Sequence, residues 1–240
     1  MRLGLIFGFL LFPMLINGQV PGYKHRIISG FNIYIAEEAW KDHESVTLQA
    51  IDLLSAQLDT ILGFSLKHEI IDSLQQIKLF MDWNNAYSAA VYHPSRQWLI
   101  ENGHEPQKAQ SVEISNIRHF IDWSALNQPF MILHELAHAY HHRVLGFDYE
   151  PIIGAYEGAM AGSLYDAVSL HTGNGEYTVQ EAYAKRNKLE YFAELTEAYL
   201  GENDFYPFVK EEFRDHDIEG YRVVSGIWQF EATIDKSGKQ

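Results

Sequence analysis

Apolar residues along the chain change their period near its middle. Phe31-Asn32-Ile33-Tyr34-Ile35 alternates as a strand does, whereas residues 45–62 carry Leu48, Ile51, Leu54, Leu58 and Leu62 at helical spacing behind Ser45 as a cap. Residues 77–81 and 111–115 read as two further strands, with Tyr92-His93-Pro94-Ser95 a turn into a short helix at 98–101. Residues 129–145 then read as one helix, with Ile132, Leu133, Leu136, Ala137, Tyr140 and Val144 as its apolar stripe and Gly146 as its stop. Beyond it, 152–170 and 187–200 predict two more helices, and the chain from Glu211 onward packs against them. Strands with helices first and helices only afterwards predict an α+β fold, a sheet-containing lobe at 19–128 and a helical lobe at 129–240 of one domain, with a site in the cleft between.

The first residues change how the rest is counted. Met1-Arg2 is a short basic start, 3–16 is an apolar run, and Gly18 offers a small residue for cleavage, so 1–18 reads as a secretory signal peptide. An apolar run of that length is short for a membrane span, which needs about 20 residues. The expected location is therefore outside the cytoplasm, with no membrane attachment after cleavage. A net charge of −14 argues against nucleic acid or anionic membrane as partners. The chain has no cysteine, which removes disulfides, thiolate metal sites and cysteine nucleophiles from consideration. An exported chain of this kind is held together by its core, with help from any metal it binds.

The chemistry is concentrated in His134-Glu135-Leu136-Ala137-His138. One helical turn separates the two imidazoles, which puts them about 6 Å apart on one face and lets both reach a single zinc ion. Glu135 lies about 100° round the helix, poorly placed as a ligand but able to act as general base on a water. Catalytic zinc takes three protein ligands. His141 is too far along the axis to serve with His134 and reads, with His142, as a polar helix flank. The sequence also lacks the Gly and His of the longer metzincin motif, having His141 and Val144 there. A carboxylate from elsewhere is needed, and Glu190, Glu194 and Glu197 recur along one face of a helix that is apolar nearly all round. Buried carboxylates need a cation or donors, which a zinc ion and its histidines supply, one glutamate binding the metal and the next holding an imidazole.

The run 183–194, YAKRNKLEYFAE, following the HExxH, resembles the catalytic end of the lethal-factor-like zinc peptidases, which are gluzincins. The stretch 190–208 with HELAHAY is also similar to exported bacterial proteins regarded as peptidases. The resemblance covers about residues 130–210 and implies a zincin-like fold: a twisted mixed sheet, an active-site helix, and a following helix that carries the glutamate. It implies Glu190 as third zinc ligand and Tyr183 as the group facing the substrate carbonyl. Glu194 is the candidate for orienting His134 or His138, though spacing does not say which.

These residues together predict an exported zinc metallopeptidase with one Zn2+, acting on a peptide or protein, with His134, His138 and Glu190 as ligands and Glu135 as base. The strand at 112–115 is a candidate edge for an extended peptide, with an ordinary core strand as the alternative. Competing functions are a zinc hydrolase of a non-peptide amide or ester, and a non-catalytic zinc domain that binds a peptide or wall partner.

Overall fold

The computed structural model describes residues 20–83 and 89–228, so the signal-peptide expectation for 1–18 lies outside the described residues. Five strands form one mixed sheet in the order β1-β2-β3-β5-β4: β1 (Tyr23–Ile28), β2 (Phe31–Ala36), β3 (Lys78–Met81), β4 (Val91–His93) and β5 (Ser111–Ile114). The three central strands run parallel to one another, and β1 and β4 flank them antiparallel. The α+β class is as the pattern predicts.

Strand alternation sends Phe31, Ile33, Ile35, Leu79, Met81, Val112 and Ile114 into one fully buried core. The helices that close it are α1 (Glu37–Asp42), α2 (Glu44–Leu62), α3 (His68–Gln75) and α5 (Ile117–Leu126), while α4 (Arg96–Glu101) packs against the turn at 106–108. Leu54, Leu58 and Ile61 of α2 supply its main apolar face. That helix begins one residue before Ser45, and no side chain caps it. On the opposite face of the sheet Tyr34 stacks on Phe80 at 5.1 Å, and Tyr23 meets Phe80 edge-on at 5.2 Å.

The expectation that β5 forms an edge is corrected. It is paired on both sides and buried along its length, and the edge belongs to β4. Three residues ending just before Pro94 are too few for a period to register, so the sequence shows this segment only as a turn.

Helix α6 (Met131–Tyr140) passes between the sheet lobe and α8 (Lys188–Leu200), touching α2, β4 and β5 on one side and α8 on the other. Its continuation is a π turn over His141–Leu145 that ends at Gly146, whose φ of 83° suits a residue without Cβ. The wide turn breaks the predicted stripe, leaving Val144 48% exposed.

The second half is not purely helical. Helix α7 (Glu150–Ala161) stops at Gly162-Ser163, and an antiparallel hairpin follows, β6 (Val168–Gly173) and β7 (Glu176–Gln180). Asn174 and Gly175 both have positive φ, 52° and 76°, as the tight hairpin turn requires. The single helix expected over 152–170 is thus a helix, a break and the start of a strand. After α8, α9 (Lys210–His216) and α10 (Ile218–Ile227) close the carboxyl end, where buried Asp217 accepts from Tyr165, Tyr191 and the Gly220 amide. No helix of the described residues is long and apolar enough to cross a membrane.

Candidate metal centre

Two helix segments bring the predicted ligands together. On α6, His134 and His138 lie one turn apart with ring centroids 4.8 Å from each other. On α8, Asn187 caps the helix, its side-chain oxygen accepting from the amides of Leu189 and Glu190. That cap fixes Glu190 in the first turn, where the helix dipole favours a carboxylate.

The three side chains converge on one point. His134 Nε2 lies 3.3 Å from Glu190 Oε2, His138 Nε2 lies 3.1 Å from the same oxygen, and the two nitrogens are 3.1 Å apart. Donors bound to one tetrahedral ion by bonds of about 2.05 Å are separated by about 3.3 Å, so the spacing is what such an ion demands. His134, His138 and Glu190 are positioned to hold a metal ion. The donor set of two imidazoles and one carboxylate fits zinc, with a further coordination position left over.

The ring of His134 is fixed from behind by Glu197, whose Oε1 is 2.7 Å from Nδ1. Glu194, which the sequence reading favoured for this task, has its nearer oxygen 3.9 Å away, beyond hydrogen-bond range. Its other oxygen accepts from Asn203 Nδ2 at 3.1 Å. The orienting carboxylate is therefore Glu197, three residues further along α8, and the histidine it orients is His134.

Electrostatics follow from this crowding. Burial opposes ionisation of Glu190, but the two imidazoles outweigh it and hold the carboxyl well below its ordinary range. Burial also opposes a charged His134, yet Glu190 and Glu197 hold it well above the usual histidine value. Glu197 is pushed up to about 7, chiefly by burial and against the pull of His134. Glu194 is raised well above the carboxylate range by burial and by the nearby Asp204 and Glu197. Asp204 is raised too, again mainly by burial.

Glu135 stands beside the ligands and is nearly buried, with Oε2 accepting the Tyr92 amide of β4 at 2.6 Å. Tyr183 opens a 3₁₀ turn just before the Asn187 cap, its ring centroid 6.3 Å from that of His134. Its hydroxyl oxygen accepts from Arg186 at 3.0 Å. Burial and the Glu190 charge raise its pKa. Tyr183, His134, Glu135 and Ala90 are shared by two adjoining cavities, which makes one cleft across the ligand set.

Two residues stand apart from their sequence pattern. His141 is not a polar flank: it is fully buried between Phe147 and Phe192, and neither ring nitrogen has a hydrogen-bond partner. Burial lowers its pKa to about 4. Seven residues from His134 is nearly two full turns, so the helical phase already pointed it inward. Tyr92, which the sequence places in a turn, holds Glu135 through its amide, and its hydroxyl is 2.8 Å from His142 Nδ1.

No family model matches the chain, and neither a curated protein nor a solved structure matches it.

Proposed function

We propose that the chain is an exported zinc hydrolase of the zincin type, a metallopeptidase that cuts an extended peptide. The observation that carries this reading is the convergence of His134, His138 and Glu190 at tetrahedral separations with Glu135 alongside. When bound, zinc supplies Lewis acidity toward a water and a substrate carbonyl.

The chain's own groups do the rest. The Tyr92 amide restrains one oxygen of Glu135, leaving the other to take a proton from the attacking water and deliver it to the leaving amine. Such general acid–base work contributes about 10²–10⁴ in rate. Arg186 donates to the Tyr183 oxygen, so the tyrosine's own hydrogen is free for a developing oxyanion. Glu197 holds His134 in the tautomer whose Nε2 carries a lone pair toward the ion.

Substrate orientation draws on the edge strand. The carbonyls of Ala89 and His93 accept from Asn116 and Gln110 on the β5 side, so Ala90 and Tyr92 turn their backbone groups outward. Ala90 lies in both halves of the cleft, and its backbone, which makes no backbone hydrogen bond among the described residues, suits an extended peptide laid antiparallel to β4.

Glu135→Gln is the test. The variant is expected to keep its fold and its zinc while losing cleavage of a diverse peptide pool. Cleavage by Glu135→Gln at the parent rate refutes the assignment of the base.

A further inference from the structure

The two halves of the cleft differ in chemistry. One sets Val91, Pro94, Phe147 and Leu189 beside the candidate metal ligands. The other, a cavity of about 290 Å³, is lined by Trp123, Gln128 and Phe205 together with Glu194, Glu197 and Asp204. No lysine or arginine among the described residues lines it.

Glu194 is the informative residue. Only 4% of it is exposed, it lines the cavity, and one of its oxygens has no donor within hydrogen-bond range among the described residues. The closest candidate, His134 Nδ1, is 3.9 Å off and already engaged by Glu197. Asp204 accepts from the side-chain amides of Asn127 at 3.4 Å and Gln128 at 3.3 Å and from the backbone amides of Asp204 and Phe205, and no lysine or arginine among the described residues pairs with it. An ion held by His134 Nε2, His138 and Glu190 would not serve Glu194, whose nearer oxygen stands on the Nδ1 side of the His134 ring. Carboxyls buried this deeply are costly to ionise, and a cavity that keeps them beside open space favours a cation that enters it. Trp123 and Phe205 add aromatic surface to the same wall, which suits a cationic head on an apolar stem.

We propose that this cavity receives a cationic group of the substrate, an alkylammonium or guanidinium, so that the cleaved bond lies near a lysine or arginine side chain or near a free amino terminus. The proposal rests on the hydrolase reading for its placement at the scissile bond, but the cation site itself is tested without turnover.

The measurement is equilibrium binding to zinc-loaded Glu135→Gln protein by fluorescence anisotropy. Three amidated, labelled hexapeptides are compared: an acetylated one with a central lysine, its norleucine twin, and the norleucine twin with a free amino terminus. The lysine probe or the free-terminus probe is expected to bind at least about tenfold more tightly than the acetylated norleucine probe. Whichever of the two does so identifies the source of the cation. That advantage should shrink to less than about threefold when Glu194→Gln or Asp204→Asn is added. The Gln variant retains an acceptor for Asn203, and thermal melting of both checks that they fold. Equal binding of all three probes overturns the proposal, as does an advantage that survives both substitutions. Two zinc equivalents per chain, one of them lost in Glu194→Gln, also overturn it, since the carboxylates would then serve a second metal. A clear cation preference without any cleavage by the parent protein defeats the hydrolase reading and leaves the cation site standing.

Discussion

Replacing Glu197 by alanine removes the acceptor 2.7 Å from His134 Nδ1 while leaving all three proposed zinc ligands in place. The bond does two jobs: it selects the tautomer with a free Nε2, and it fixes the plane of the ring toward the ion. Loss of such a partner costs about 10- to 100-fold in metal affinity, or about 1.4 to 2.7 kcal/mol. Glu194→Ala is the control, because its nearer oxygen stands 3.9 Å from the same nitrogen and makes no hydrogen bond to it. The assay is competition for zinc against a chromophoric chelator at fixed pH, with circular dichroism to confirm folding of each variant. Glu197→Ala should fall within the stated range and Glu194→Ala within about threefold of the parent, a difference below 1 kcal/mol. A reversed order, with Glu194→Ala the weaker binder, would restore the assignment suggested by the sequence and refute the geometric one.

Two further outcomes follow from buried charge. His141 has a folded pKa of about 4, below the ordinary 6.5, so the unfolded chain takes up the proton first as pH falls. Its contribution is intact above pH 6.5 and is lost as pH drops toward 4, amounting to about 3 kcal/mol, and His141→Phe should flatten that part of the urea-denaturation profile of the zinc-free protein. An unchanged acid slope in the variant counts against this. Lys108 lies buried among Asp82, Glu105 and Glu113, each at 2.7 Å. Lys108→Met should destabilise by about 3 to 5 kcal/mol in the same denaturation assay, since Asp82 and Glu113 would stay buried without it, and a loss under 1 kcal/mol would contradict the reasoning.

The central strands and the long helices were legible because their apolar residues keep one period over many positions. Phe31, Ile33 and Ile35 alternate into the core, and the α6 residues 132, 133, 136, 137 and 140 are all buried. What escaped is short or tertiary in origin. The β6–β7 hairpin carries a readable signal, Asn174-Gly175 between alternating residues, which the apolar continuity of 152–170 masked. β4 is three residues long and takes its role from its neighbours.

The site divides in the same way. Spacing alone brought out His134, Glu135 and His138, and the acidic stripe of α8 contained the carboxylate that meets them. Choosing between Glu194 and Glu197 was beyond spacing, because the two are only about 60° apart around the helix. The crossing of α6 over α8 decides it, along with Asn203, which draws Glu194 aside. The Tyr92 amide on Glu135 carries no side-chain signature at all.

X-ray absorption at the zinc edge, on protein loaded with one equivalent, tests the centre itself. The expected spectrum has four light-atom neighbours at about 2.0–2.1 Å with outer-shell scattering from two imidazoles, reduced to one in His138→Ala. A six-coordinate oxygen shell without imidazole scattering, or a spectrum unaffected by His138→Ala, would contradict the placement of zinc between α6 and α8.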